Sequence, residues 1–126
     1  DKERNVGNRL VFERLLEAGA EIDEPDMFGA TPLMHAVLRY REETVRFLLE
    51  EHEVALNVNS RAHGSLIHCS ARVWMIRKFK EDDSSYRILK LLIERGAPTD
   101  LQDKNGKTPL DIAPDNEKLR MVLGAK

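Results

Sequence analysis

Gly29-Ala30-Thr31-Pro32-Leu33-Met34-His35-Ala36 decides the fold, because it recurs. Gly64-Ser65-Leu66-Ile67-His68-Cys69-Ser70-Ala71 and Gly106-Lys107-Thr108-Pro109-Leu110-Asp111-Ile112-Ala113 keep its order of a small polar residue, an apolar step and small residues. The chemistry is that of a helix start. Thr31 can cap through its hydroxyl, and Pro32 occupies the first helical position, where no N–H is needed. Thr108 and Pro109 repeat the device. A second pattern marks a helix end: Leu15-Leu16-Glu17-Ala18-Gly19-Ala20 matches Leu91-Leu92-Ile93-Glu94-Arg95-Gly96-Ala97, and Leu48-Leu49-Glu50-Glu51-His52 is a looser copy. Gly19 and Gly96 suit the left-handed turn after a helix. Val45, Leu48 and Leu49 form an apolar stripe at helical spacing, as do Val11, Leu15 and Leu16, and Ile88, Leu91 and Leu92. Small Ala36, Ser70, Ala71 and Ala113 allow close packing of the first helix of each pair.

The chain resembles the ankyrin-repeat family over nearly its whole length. The family's Thr-Pro-Leu-His-x-Ala signature is close to intact at residues 31–36, with Met34 ahead of the histidine. At 65–71 Leu66 replaces the proline and His68 keeps its place; at 108–113 Asp111 stands at the histidine position. The resemblance implies an all-α solenoid of stacked helix-turn-helix units joined by loops or hairpins, with about four repeats, the terminal ones partial. Its expected divisions are 1–25, 26–59, 60–102 and a C-terminal cap at 103–126, all in a single domain. Expected helices cover 8–17, 32–39, 44–51, 66–79, 86–94 and 117–123.

Spacing shows a departure from the family. Thr31 and Ser65 are 34 apart, against a family period of about 33, and Ser65 and Thr108 are 43 apart. The first surplus is expected within 52–57. The second, between Ala71 and Ile88, is an insertion between two helices at 72–87. At the start, Gly7 stands where an inter-helix turn belongs, so the chain is expected to begin inside a repeat or with a short polar cap. Pro114-Asp115-Asn116 followed by the charged segment 117–123 suits a terminal cap with a wet outer face.

Bulk properties narrow the function. The 126 residues are 41% hydrophobic and 33% charged, enough apolar material for one core. A net charge of −2 argues against a nucleic-acid binder. No apolar run approaches the roughly 20 residues that span a bilayer, and the charged start does not look like a signal peptide. Cys69 is the only cysteine, so no intrachain disulfide can form and a reducing compartment, cytosol or nucleus, is expected.

No catalytic, cofactor or metal residues are assigned. His63, His68 and Cys69 do not have zinc-ligand spacing. His68 and Cys69 are adjacent and point about 100° apart on a helix, which is no nucleophile–base pair. There is no Gly-x-Ser-x-Gly elbow and no phosphate loop. For His35 and His68 the resemblance implies structural hydrogen bonds between repeats. Glu42, Glu43, Glu50, Glu51 and Glu53 read as a solvated face.

The insertion holds the only tryptophan, in Arg72-Val73-Trp74-Met75-Ile76-Arg77-Lys78-Phe79-Lys80, and an acidic, polar loop follows at 81–85. As an extended helix, it places Trp74 four residues after Ser70 and seven after Ile67, on the core stripe, where a structural plug is favoured over a ligand. Met75, Ile76 and Phe79 fall on another face, either a partner patch or a floor for the acidic loop.

Ankyrin proteins bind partners with loop tips and the inner face of the first helices. Carried over by motif position, that surface comprises Met27, Phe28, Leu38, Arg39, Arg61, His63, Arg72, Lys104 and Asn105, with Met75, Ile76 and Phe79 from the insertion. Met27 and Phe28 are apolar where polar residues are usual, and near an arginine they have hot-spot composition; alternatively Phe28 packs on the preceding loop. The expected function is therefore a protein-protein interaction module, acting as scaffold, adaptor or inhibitor. It would be monomeric on its own, with a protein as partner and neither nucleic acid nor membrane. An architectural spacer, or a regulatory domain of a larger and possibly enzymatic polypeptide, is the alternative.

Overall fold

A computed structural model describes residue 23 and residues 25–124. The first helix, α1, is Pro32–Leu38, and α2 is Glu42–Glu51. A minimal hairpin of β1 (Asn59–Ser60) and β2 (Gly64–Ser65) leads into α3, Leu66–Ile76, and α4, Ser84–Glu94. A 3-10 turn at Pro109–Ile112 precedes α5, Glu117–Val122. The hairpin is antiparallel, with Asn59 opposite Ser65 and Ser60 opposite Gly64. The helix expected at 8–17 lies outside the described residues.

The helix starts follow from their caps. Thr31 Oγ1 accepts the Met34 N–H at 3.3 Å, and Pro32 follows it. Ser65 Oγ accepts the His68 N–H at 3.2 Å, while the Ser65 N–H donates to His68 Nδ1 at 3.0 Å. This is a capping box in which histidine fills the place usual for Glu or Gln. Thr108 starts a helix-like segment as expected, but one of only four residues, and its N–H donates to Asp111 at 2.8 Å.

The ends of α1, α3 and α4 share one geometry. After α4 the Gly96 N–H donates to Ile93 O and the Ala97 N–H to Leu92 O, both at 3.0 Å, with Gly96 at φ +89. That is the expected left-handed cap. Tyr40 (φ 42) does the same after α1, and Lys78 (φ 67) after α3, neither being glycine. Lys78 corrects the expectation that the third repeat's first helix runs to residue 79: α3 stops at Ile76. The insertion is thus a longer first helix, 11 residues against 7 in α1, plus a broad turn at 77–83.

The helices form two rows. In one, α1, α3 and the 3-10 turn pack side by side; in the other, α2 lies against α4, and each pair joins across the core. Leu33, Met34, Val45, Leu48, Leu66, Ile67, Ile88, Leu89 and Leu92 fill that core. Trp74 is fully buried, with its ring 5.0 Å from those of Phe79 and Tyr86 and its Nε1–H donating to Lys80 O at 3.0 Å. It is a structural plug, and its one polar atom is satisfied.

Among the described glycines, Gly64 is the most tightly enclosed. Its φ is +81, and a Cβ there would sit 2.8 Å from His68 Cγ. Gly106 has a similar φ, +77, but nothing lies within 4 Å of its would-be Cβ. Gly64→Ala should therefore lower stability by about 2 kcal/mol or more and Gly106→Ala by about 1 kcal/mol, both read from urea unfolding. Equal costs would contradict the packing assigned to His68.

Candidate protein-binding surface

Three loops stand in a row at the head of the first-helix layer, and internal hydrogen bonds shape each one. Asp26 Oδ1 accepts the N–H groups of Phe28 and Ala30 at 2.9 and 3.0 Å, and its Oδ2 accepts from His35 Nε2 at 2.8 Å. Asp103 repeats the clamp, accepting from Asn105 and Lys107 at 2.9 and 3.0 Å. Both carboxyls lie below the usual carboxylate value, chiefly because backbone N–H groups, from Ala30 and Lys107 respectively, stabilise the anion. Ser60 takes the equivalent place in the middle loop. Its Oγ accepts from Ala62 and His63 at 3.3 Å and donates to Phe28 O at 2.7 Å, which ties one loop to the next. Asn59 Nδ2 donates to Gln102 O at 2.8 Å and ties the middle loop to the last.

The clamps push side chains outward. Met27 is 88% and Phe28 56% exposed. With Gly29, Asn59, Arg61, Ala62 and Lys104 they line an open groove of about 500 Å³ across the three tips. Arg61, Lys104 and Asn105 are exposed, as is Arg39 at the end of α1. A second concavity, of about 360 Å³, lies on the other side between α4 and α5, against Tyr86, Ile93 and Met121.

Other expected surface residues are turned partly inward. Leu38 is half-buried against the core. His63 is half-buried, and its carbonyl accepts from Arg72 Nη1 at 3.4 Å, so the half-buried Arg72 braces the loop from below. Met75 is half-buried, whereas Ile76 is 67% exposed. The expected inner-face position of Phe79 is corrected. The left-handed turn at Lys78 swings its ring edge-on against Trp74, where it joins the core.

The acidic loop is also more ordered in role than expected. Asp83 caps α4 through the Ser85 N–H, and both its oxygens receive Arg77, one of them from Nη2 at 2.8 Å. The same guanidinium lies 4.3 Å from the centre of the Tyr40 ring, joining the insertion to the preceding repeat. No pattern in the sequence marked Tyr40. Arg77 and the cap hydrogen bonds hold the Asp83 carboxyl well below its ordinary 3.8.

Cys69 is buried, and burial pushes its thiol up to about 12, so it is a poor nucleophile at neutral pH. Among the described residues, no three of His, Cys, Asp and Glu cluster as a metal site would require. No helix among them is long and apolar enough to cross a membrane.

Comparison with known proteins agrees with the architecture. A family model for ankyrin repeats, in three copies, matches residues 4–84. The chain belongs to the ankyrin-repeat family. It is 32% identical over 107 residues to a putative palmitoyltransferase, ZDHHC13, of Danio rerio, covering 84% of this chain and 15% of that protein. It is 31% identical over 127 residues to transcription factor MBP1 of Saccharomyces cerevisiae, covering 89% of this chain and 14% of that protein. A putative ankyrin repeat protein of Rickettsia bellii is 26% identical, and the chain spans 31% of its length. Among solved structures, the ankyrin repeat domain of Bcl-3 superposes with a TM-score of 0.70 at 28% identity, over 90% of this chain and 45% of that one. Ankyrin repeats are in general non-catalytic modules of protein-protein interaction.

Because the folded-state Asp83 carboxyl is depressed, its ion pair stabilises fully above the ordinary value of 3.8 and is lost as pH falls below it. Asp83→Asn keeps a capping side chain but loses the charge. At neutral pH it should cost about 1–2 kcal/mol, allowing for the partial exposure of Arg77. The gap from the parent should narrow as pH drops from about 5 toward 2, followed by urea midpoints at each pH. A gap independent of pH would contradict the charge-based role.

Proposed function

We propose that this chain holds a partner protein across its row of loop tips and the adjoining inner face, as a scaffold, adaptor or inhibitor without catalysis of its own. The observation that carries this reading is the exposure of Met27 and Phe28 on a loop held by five hydrogen bonds around Asp26. A rigid loop that keeps large apolar groups in water has the form of an anchor prepared in advance, with little ordering left to do on binding. The proposed contact surface is Met27, Phe28, Arg39, Arg61, Lys104 and Asn105, extended by Ile76 on α3. Arg72, bonded to the His63 carbonyl, braces it from beneath, while Leu38, Met75 and Phe79 are half-buried and contribute less to it. A pure spacer would have no use for this apolar rim.

The four divisions given above, in one domain, remain the proposed layout. The chain spans less than a third of the length of these relatives, which supports a role as the interaction part of a larger polypeptide. The single buried thiol supports an intracellular setting. No cofactor or metal is assigned, and the isolated domain is read as a monomer.

Phe28→Ala should weaken binding to a partner recovered by affinity capture by about 1–4 kcal/mol, measured by calorimetry, and leave the thermal midpoint within error. Unchanged affinity for Phe28→Ala, combined with a loss on substituting Tyr86 or Met121, would move the contact surface to the concavity between α4 and α5.

A further inference from the structure

The loop-tip groove has a charge character that the whole chain lacks. The chain carries a net charge of −2, yet among the described residues no carboxylate lines the groove, while Arg61 and Lys104 flank Phe28 from the two following loops. Asp26 and Asp103, on the first and last of these loops, stay anionic, but their oxygens are bonded to loop N–H groups and His35 rather than to Arg61 or Lys104. Neither Arg61 nor Lys104 has an ion pair among the described residues. Local sequence therefore leaves two unpaired cations beside two exposed apolar side chains, all on loops fixed by hydrogen bonds.

We propose that the groove takes an acidic linear segment of another protein, in which one large apolar side chain is flanked by carboxylates. Resting on the partner-binding reading above, it adds the chemistry of the partner. The apolar residue packs on Met27 and Phe28, and the carboxylates meet Arg61 and Lys104. Complementary charge of this kind sets encounter rate and selects among partners, while the apolar anchor supplies most of the binding energy. A nucleic acid fits less well: two cations neutralise too few phosphates, and the side chains between them are aliphatic as well as aromatic. A second copy would have to present an acidic apolar segment of its own.

The test is selection of random linear peptides displayed on phage, against the full 126-residue chain and against the double variant Arg61→Glu/Lys104→Glu. Circular dichroism should show the variant folded, since both positions are exposed. The parent should enrich peptides with a Leu, Phe or Trp between Asp and Glu residues. Affinity of the synthetic winner, followed by fluorescence anisotropy, should fall about tenfold or more on the double variant and fall with rising salt. The variant itself should enrich basic peptides. Neutral or basic winners on the parent that lose affinity with Phe28→Ala would overturn the acidic-segment proposal and leave the partner reading intact. Winners insensitive to every loop-tip substitution would overturn both. Recovery of no binder, tighter binding of single-stranded DNA than of any peptide, or a concentration-dependent dimer abolished by Phe28→Ala would also overturn the proposal.

Discussion

His68 is fully buried, and both of its ring nitrogens are used. Nδ1 accepts the Ser65 N–H at 3.0 Å and meets Ser65 Oγ at 2.8 Å, closing the cap of its own helix. Nε2 lies 2.7 Å from Lys107 O, in the loop of the next repeat. With Nδ1 accepting, the proton sits on Nε2 and is donated to that carbonyl. One neutral side chain thus starts α3, fixes the neighbouring loop and fills the space that keeps Gly64 free of a side chain. In a solenoid each repeat is held only by its neighbours, so bonds of this kind set the spacing of everything the loops display.

From that spacing follows the candidate surface. The Asp26 and Asp103 clamps are the same device two repeats apart, and Ser60 stands between them with a hydroxyl in place of a carboxylate. The substitution has a structural use. A hydroxyl can donate as well as accept, and Ser60 donates to the carbonyl of Phe28, which a carboxylate could not do. Phe28 is therefore held from both sides of its peptide while its ring stays in water. The fold provides this platform, but only the residues on it can select a partner.

Much of this was legible in the sequence, because cap chemistry is local. Thr31 with Pro32 and Gly96 after α4 stand where their types require, and the spacing of Trp74 from Ser70 and Ile67 placed it in the core. The exposure of Met27 was legible from its place at a loop tip, whereas that of Phe28 stood open against packing on the preceding loop. What failed was the end of α3. Its left-handed cap is Lys78, which no composition rule marks, so the helix was expected to continue to 79 and Phe79 to face outward. Tyr40 has the same unmarked backbone, and its meeting with Arg77 depends on two such turns in different repeats. The three-loop groove was only partly legible: its members could be placed by motif position, but Ser60 bonding to Phe28 O is a contact across 32 residues.

The most direct measurement is hydrogen–deuterium exchange of the full chain, free and saturated with a partner protein recovered by affinity capture. Slowed exchange should concentrate at residues 26–30, 60–64 and 103–107 and extend along the exposed side of α3, with α2 and α4 unchanged. Slowing confined to α2 and α4, with the three loops exchanging as in the free chain, would contradict partner binding through the loop tips.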